Sequence, residues 1–217
     1  MNVFIKKAAS FAASATIVAT LFAPAVMPMS AAATAPVRKF SASTSPTNIG
    51  TGGTQVFTVT FTNDPTSNDD INSARLTLPT GFTLENPPVP TLGGVTDWEV
   101  CSSGTEIQFG ANNPGGVGIA PGSSFTLTFT ANVAAPAGNH TFVARAFKNQ
   151  SCNPGAGAEF DSNQTPITIT IPPQCNDNID NDEDGFVDFD GNGGTMEPGC
   201  TSATDDTESP NPVVAPT

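Results

Sequence analysis

The 217-residue chain has no tyrosine, one tryptophan and one histidine. Lysine and arginine together number seven, and charged residues make up only 12% of the chain, about half the usual share. With so few basic groups and a net charge of −13, nothing in the chain neutralises a phosphate backbone. Nucleic acid is therefore excluded as a partner, anionic membrane surfaces would repel the chain, and cations are its natural ligands. Glu, Lys and Arg are scarce, which argues against a helical bundle, a coiled coil or an α/β nucleotide-binding enzyme. No glycine-rich loop stands between a strand pattern and a helix pattern to cradle phosphate. None of the four cysteines forms a C-x-x-C pair, so neither a zinc site nor a redox motif is signalled. The single histidine, His140, reads as a surface or interface strand residue beside Phe142. Glu85, Glu99, Glu106 and Glu159 are scattered and make no identifiable carboxylate pair. No catalytic residue is expected, and the chain reads as a binding or structural protein.

What is present begins with an export pattern. Residues 1–7 carry Lys6 and Lys7, residues 8–27 carry no charge, and Ala31, Ala32 and Ala33 make an A-x-A-like cleavage site. Residues 1–33 are expected to be a signal peptide, with the mature chain starting near Thr34. An uncleaved anchor is the alternative, because the apolar run approaches spanning length. Pro24, Pro28 and the small residues before Thr34 favour cleavage. No second apolar run follows, so the mature chain is expected to lack a membrane span and to be secreted, extracellular or at the cell surface. In an oxidising compartment an even number of cysteines implies two disulfides. Three connectivities are open for Cys101, Cys152, Cys175 and Cys200; sequence order and the domain division below favour Cys101–Cys152 and Cys175–Cys200.

Over residues 37–172 the period is two. Phe57, Val59 and Phe61 alternate with Thr58, Thr60 and Thr62; Phe125, Leu127, Phe129, Ala131 and Val133 alternate with Ser124, Thr126, Thr128 and Thr130. Ala74, Leu76 and Leu78, and Ile167, Ile169 and Ile171, follow the same rule. This is the signature of antiparallel strands with one face in a core. Weaker strands are expected at 98–101, 105–109 and 140–147. Gly- and Pro-rich turns separate them, and seven to nine strands at this spacing predict an all-β sandwich. The runs at residues 56–63, 78–82 and 119–125 resemble the Ig-like domains of bacterial surface proteins. That resemblance implies an Ig-like antiparallel sandwich in an extracellular setting and says little about chemistry.

After Pro172 and Pro173 the composition shifts. Residues 174–217 hold eleven of the twenty acidic side chains and no lysine or arginine. Asp180, Asp182 and Asp184 stand two apart and Gly185 follows. A sharp turn at Gly185 lets these carboxylates converge on one cation, and calcium takes six to eight such oxygens. With Asp180 at position 1 of an EF-hand-like loop, Asp182 falls at 3, Asp184 at 5, Phe186 offers its carbonyl at 7, and Asp188 falls at 9. Gly191 stands where an EF-hand has its bidentate Glu, and no helix pattern flanks the loop. Asp177 and Asp190 are further ligand candidates. The segment resembles the Asp-rich repeats of thrombospondin type 3 and similar Cys-flanked modules that end many bacterial secreted proteins. The resembling residues are Cys175, Asn176 and Asp177; Ile179 through Asp182; Asp184, Gly185 and Asp188; Pro198, Gly199 and Cys200; and Asp205 through Glu208. It implies calcium (Ca2+) as the cofactor and a structural or adhesive role.

The domain reading is thus a signal peptide at 1–33, a sandwich at 37–172, a small irregular disulfide-bracketed calcium module at 174–208 and a Pro-rich flexible tail at 209–217. The expected function is a secreted or cell-surface structural or adhesive protein that binds calcium through its Asp-rich loop. Another surface protein or a glycan is the expected further partner. The alternative is a carbohydrate-binding sandwich; it wants exposed aromatic platforms, and Trp98 alternates with Val100 in the buried phase. A hydrolase ranks below both. Asn139, Asn149 and Asn163 open N-x-S/T sequons, which matter only in a host that glycosylates them.

Overall fold

The computed structural model describes residues 35–50, 52–85, 90–102, 104–111, 117–149, 159–162, 166–190 and 195–209. The expected signal peptide with its cleavage site at Ala33, Cys152, and the tail beyond residue 209 lie outside the described residues. Among the described residues no helix is long and apolar enough to cross a membrane.

The architecture is all-β: two sheets packed face to face. The strands are β1 (Lys39–Ser45), β2 (Thr54–Asn63), β3 (Ser73–Thr77), β4 (Phe82–Leu84), β5 (Thr91–Gly93), β6 (Trp98–Ser102), β7 (Glu106–Ala111), β8 (Ser124–Val133), β9 (Gly138–Phe147), β10 (Asp161–Ser162) and β11 (Ile167–Ile171). One sheet runs β10-β1-β2-β8-β4, with β5 also paired to β8; the other runs β11-β9-β3-β7-β6. All pairings between these strands are antiparallel except the short parallel one between β1 and β10. The strands outnumber the seven to nine expected because β4, β5 and β10, at three, three and two residues, are too short to show a period.

Alternation fixes the register. β2 and β8 pair with Phe57 opposite Phe129 and Phe61 opposite Phe125, so both apolar rows face inward together. Ring centroids are 5.4 Å apart in the first pair and 5.0 Å in the second. The facing sheet answers with Phe142 edge-on to Phe57 at 5.4 Å and Phe109 edge-on to Phe61 at 5.5 Å. Each of these buried rings contributes roughly 1.5–3 kcal/mol of burial, and the edge-to-face geometry adds to it. The outer faces carry the threonines, which pair across strands: Thr58 with Thr128 at 3.2 Å and Thr62 with Ser124 at 2.8 Å.

The end of β11 sets up the acidic segment. Backbone bonds from Ile49 N to the Thr170 carbonyl (3.1 Å) and from Thr170 N to the Thr47 carbonyl (2.8 Å) fasten the β1–β2 connection along β11. Pro172 and Pro173 cannot extend the ladder, and the chain turns through a 3-10 turn, Gln174–Asn176. The described residues belong to one compact unit. Asn48, Ile49, Gly50, Pro172 and Asp177 line one small cleft where acidic segment and sandwich meet.

Candidate metal centre

The acidic segment has almost no regular structure, so its backbone groups must be satisfied by side chains. Short carboxylates do this best. Asp180 holds the turn that follows it, accepting from Asp184 N (3.1 Å) and Gly185 N (2.9 Å). Asp184 accepts from Phe186 N at 2.9 Å. Asp177 accepts from Ile179 N at 2.9 Å. The turn is sharp because Glu183 (φ 61°) and Gly185 (φ 95°) both take left-handed conformations. Glycine adopts φ 95° without a steric cost, which is why it sits at this corner.

Asp188 is 1% exposed and clasps the entry of the loop, accepting from Asp177 N and Asn178 N, both at 2.9 Å. A second layer comes from further along. Glu197 N bonds the Asp188 carbonyl at 2.9 Å, and Val187 N bonds the Thr195 carbonyl at 2.8 Å. Cys175 and Cys200 form a disulfide, with Cα atoms 5.8 Å apart. Cys175 N bonds the Asp205 carbonyl at 3.2 Å, which brings the last described stretch back over the loop. Glu208, 0% exposed, there accepts from Asn181 N (2.6 Å) and Asp188 N (3.3 Å). Gly199 lets this stretch close, since a Cβ at that position would collide with the Glu208 backbone carbonyl.

The result is two groups of carboxylates that meet at Asp182. Oxygens of Asp180, Asp182 and Asp184 lie within 4.8 Å of one another, and so do oxygens of Asp182, Glu197 and Glu208. Burial pushes the Glu197 carboxyl above its ordinary range, and the charges of Asp184, Asp182 and Glu208 push the same way, against a bond from Gly199 N. Burial likewise raises Glu208, with Asp177 and Asp188 adding to the effect against the Asn181 and Asp188 N–H bonds. Two of the oxygens, Asp182 Oδ1 and Glu197 Oε2, are shielded from solvent and have no hydrogen-bond partner. Residues 174–217 contain no lysine or arginine to compensate them. Buried, unpaired anionic oxygen facing more anionic oxygen fits a hard divalent cation.

Of the sequence-read ligands, the structure brings Asp180, Asp182 and Asp184 together. Asp188 and Asp177 spend carboxylate oxygens on backbone N–H groups, and Asp190 is exposed. Phe186 is half-buried and bridges to Thr195. Glu197 and Glu208 carry no spacing signal, because the contact depends on the fold-back between Thr195 and Glu208. Glu208 stood among the residues that carry the resemblance without being read as a ligand, and Glu197 had no sign beyond being acidic and close to Cys200. The Cys175–Cys200 pair is formed; among the described residues no cysteine is free, and the expected partner of Cys101 lies outside them.

In the sandwich, the single histidine and the single tryptophan are both engaged in structure. His140 donates Nε2–H to the Pro136 carbonyl at 2.8 Å. Trp98 is no exposed platform: its ring lies on Phe125, with centroids 5.1 Å apart, and its Nε1 donates to the Val117 carbonyl at 2.8 Å.

No family model and no curated protein sequence matches the chain. Solved structures to which the chain is similar include a non-cellulosomal cohesin from the archaeon Archaeoglobus fulgidus, 15% identical, covering 63% of this chain and 93% of that one with a TM-score of 0.38. The seventh ScaB type I cohesin from Pseudobacteroides cellulosolvens is 18% identical over 61% of this chain and 91% of its own, with a TM-score of 0.39. A cohesin module from a Clostridium perfringens family 33 glycoside hydrolase is 12% identical over 63% of this chain and 98% of its own, with a TM-score of 0.41.

Proposed function

We propose that the chain is an exported surface protein in which a β-sandwich serves structural or adhesive contacts and a C-terminal acidic module is ordered by calcium. The observation that carries the reading is the convergence of Asp180, Asp182 and Asp184, with Asp182 Oδ1 buried and unpartnered, in a segment with no basic residue. Without a cation these carboxylates repel one another, and the segment has few buried apolar groups to offset its chain entropy. A divalent ion removes the repulsion and supplies a centre, so its binding free energy becomes folding free energy of the module. Calcium suits the site because the donors are all oxygen and the loop is irregular, whereas magnesium demands near-octahedral geometry. Asp180, Asp182 and Asp184 would ligate through side chains and Phe186 through its carbonyl. Asp188, Asp177 and Asp190 remain candidates to complete the shell directly or through water. The role is binding rather than catalysis: the sole histidine is held by a backbone carbonyl.

Limited proteolysis of the secreted protein with and without chelator tests this. Cleavage confined to residues 174–209 in chelator, and suppressed by added calcium, supports the reading. An identical pattern in both conditions contradicts it.

A further inference from the structure

The outer triad leaves the most buried acids of the module unexplained. Glu197 is 1% exposed, its Oε2 has no partner, and it lies with Glu208 and Asp182 in a second group of oxygens within 4.8 Å of one another. Glu197 Oε1 accepts from Gly199 N. Both Glu208 oxygens accept backbone N–H groups, and each retains a lone pair for another donor. No basic side chain exists in this part of the sequence to fill that role.

We propose that Asp182, Glu197 and Glu208 form a second, interior calcium position beside the one made by Asp180, Asp182 and Asp184, with Asp182 bridging the two ions. This rests on the calcium reading above. The charge count supports two ions. The five carboxylates carry five negative charges; one divalent ion leaves three uncompensated around two fully buried glutamates, and two ions leave one. The interior ion ties together three stretches that are distant in sequence: the Asp-rich turn, the residues before Cys200 and the residues after it. Its occupancy therefore fastens the stretch ending at Glu208 over the loop, while the outer ion orders only the turn.

Equilibrium dialysis of the full disulfide-bonded chain against radioactive calcium counts the ions. The wild type is expected to bind two per chain. Glu197→Gln is expected to bind one: the amide oxygen keeps the bond from Gly199 N, and the amide nitrogen donates to the acids that the ion would have bridged. The same variant, in chelator, should resist proteolysis at residues 201–209 better than the wild type, an outcome that a mere loss of packing would not give. Asp184→Ala should also bind one ion, the interior one. Two ions retained in Glu197→Gln, loss of both ions in either variant, or a single ion in the wild type would each overturn the interior position. A wild type that binds one ion leaves the calcium reading standing, whereas one that binds none overturns both.

Discussion

At the scale of single residues, this chain uses aspartate for two different tasks. Some aspartates satisfy backbone: Asp188 and Asp180 each take two N–H groups. Asp182 does not; its buried Oδ1 waits for a partner that the protein does not provide. Asp182→Ala is therefore expected to weaken calcium binding at least about tenfold, since water replaces a charged ligand poorly. Glu106→Ala removes a half-buried sandwich acid that pairs with Arg75 at 3.5 Å and accepts from Thr77 and Gln108, none of them in the acidic segment, and calorimetry should show unchanged calcium affinity. Asp69 is the acid that the sandwich has built in. A hydrogen bond from Lys148 (2.6 Å) and one from Arg38 (2.7 Å) hold its carboxyl below the ordinary range. A carboxylate with a lowered folded value adds stability above its unfolded value and loses it as pH falls through the folded one. Asp69→Asn should thus cost about 1–2 kcal/mol at neutral pH in urea unfolding, and the gap to wild type should close in acid. An undiminished gap in acid would contradict this origin.

At the scale of elements, the legible parts were those with a period. β2 and β8 announced themselves because ten-residue strands give five inward positions, and four of those rings now stack across the register. β4 and β5 were invisible because three residues have no period, and their places are set by pairing to β8. The Asp-rich turn was legible from its own spacing and from Gly185. The place of Glu197 and Glu208 beside Asp182 was not, because they reach the site through a fold-back that depends on Gly199 and the Cys175–Cys200 bridge. Phe61→Ala should destabilise the sandwich by about 3–5 kcal/mol, since the ring meets Phe125, Phe109 and Phe40 in the core. Denaturant titration reads that loss; a cost below about 1 kcal/mol would mean the ring is not the keystone its contacts make it. Cys175→Ser with Cys200→Ser reopens a loop whose ends are 25 residues apart, worth about 3 kcal/mol in the chain-entropy model. The expected result is a higher calcium concentration needed to protect residues 174–209 from protease, with sandwich unfolding unchanged.

At the scale of the whole molecule, the chain divides its means of stability. The sandwich is held by phenylalanine and by strand pairing and carries basic residues of which four sit in ion pairs, those of Arg38, Arg75, Arg145 and Lys148. The acidic segment has little core and no basic residue of its own, and the proposed calcium would supply what it lacks. Ile179 near Gly50, and Asp177 in the cleft with Ile49 and Pro172, join the two parts. The most direct test is calorimetric titration of calcium into the wild type and into a variant with Asp180, Asp182 and Asp184 all replaced by alanine. The account predicts saturable binding in the wild type and its loss in the variant, with the sandwich unfolding transition the same in both. Equal calcium affinity in the two proteins would contradict it.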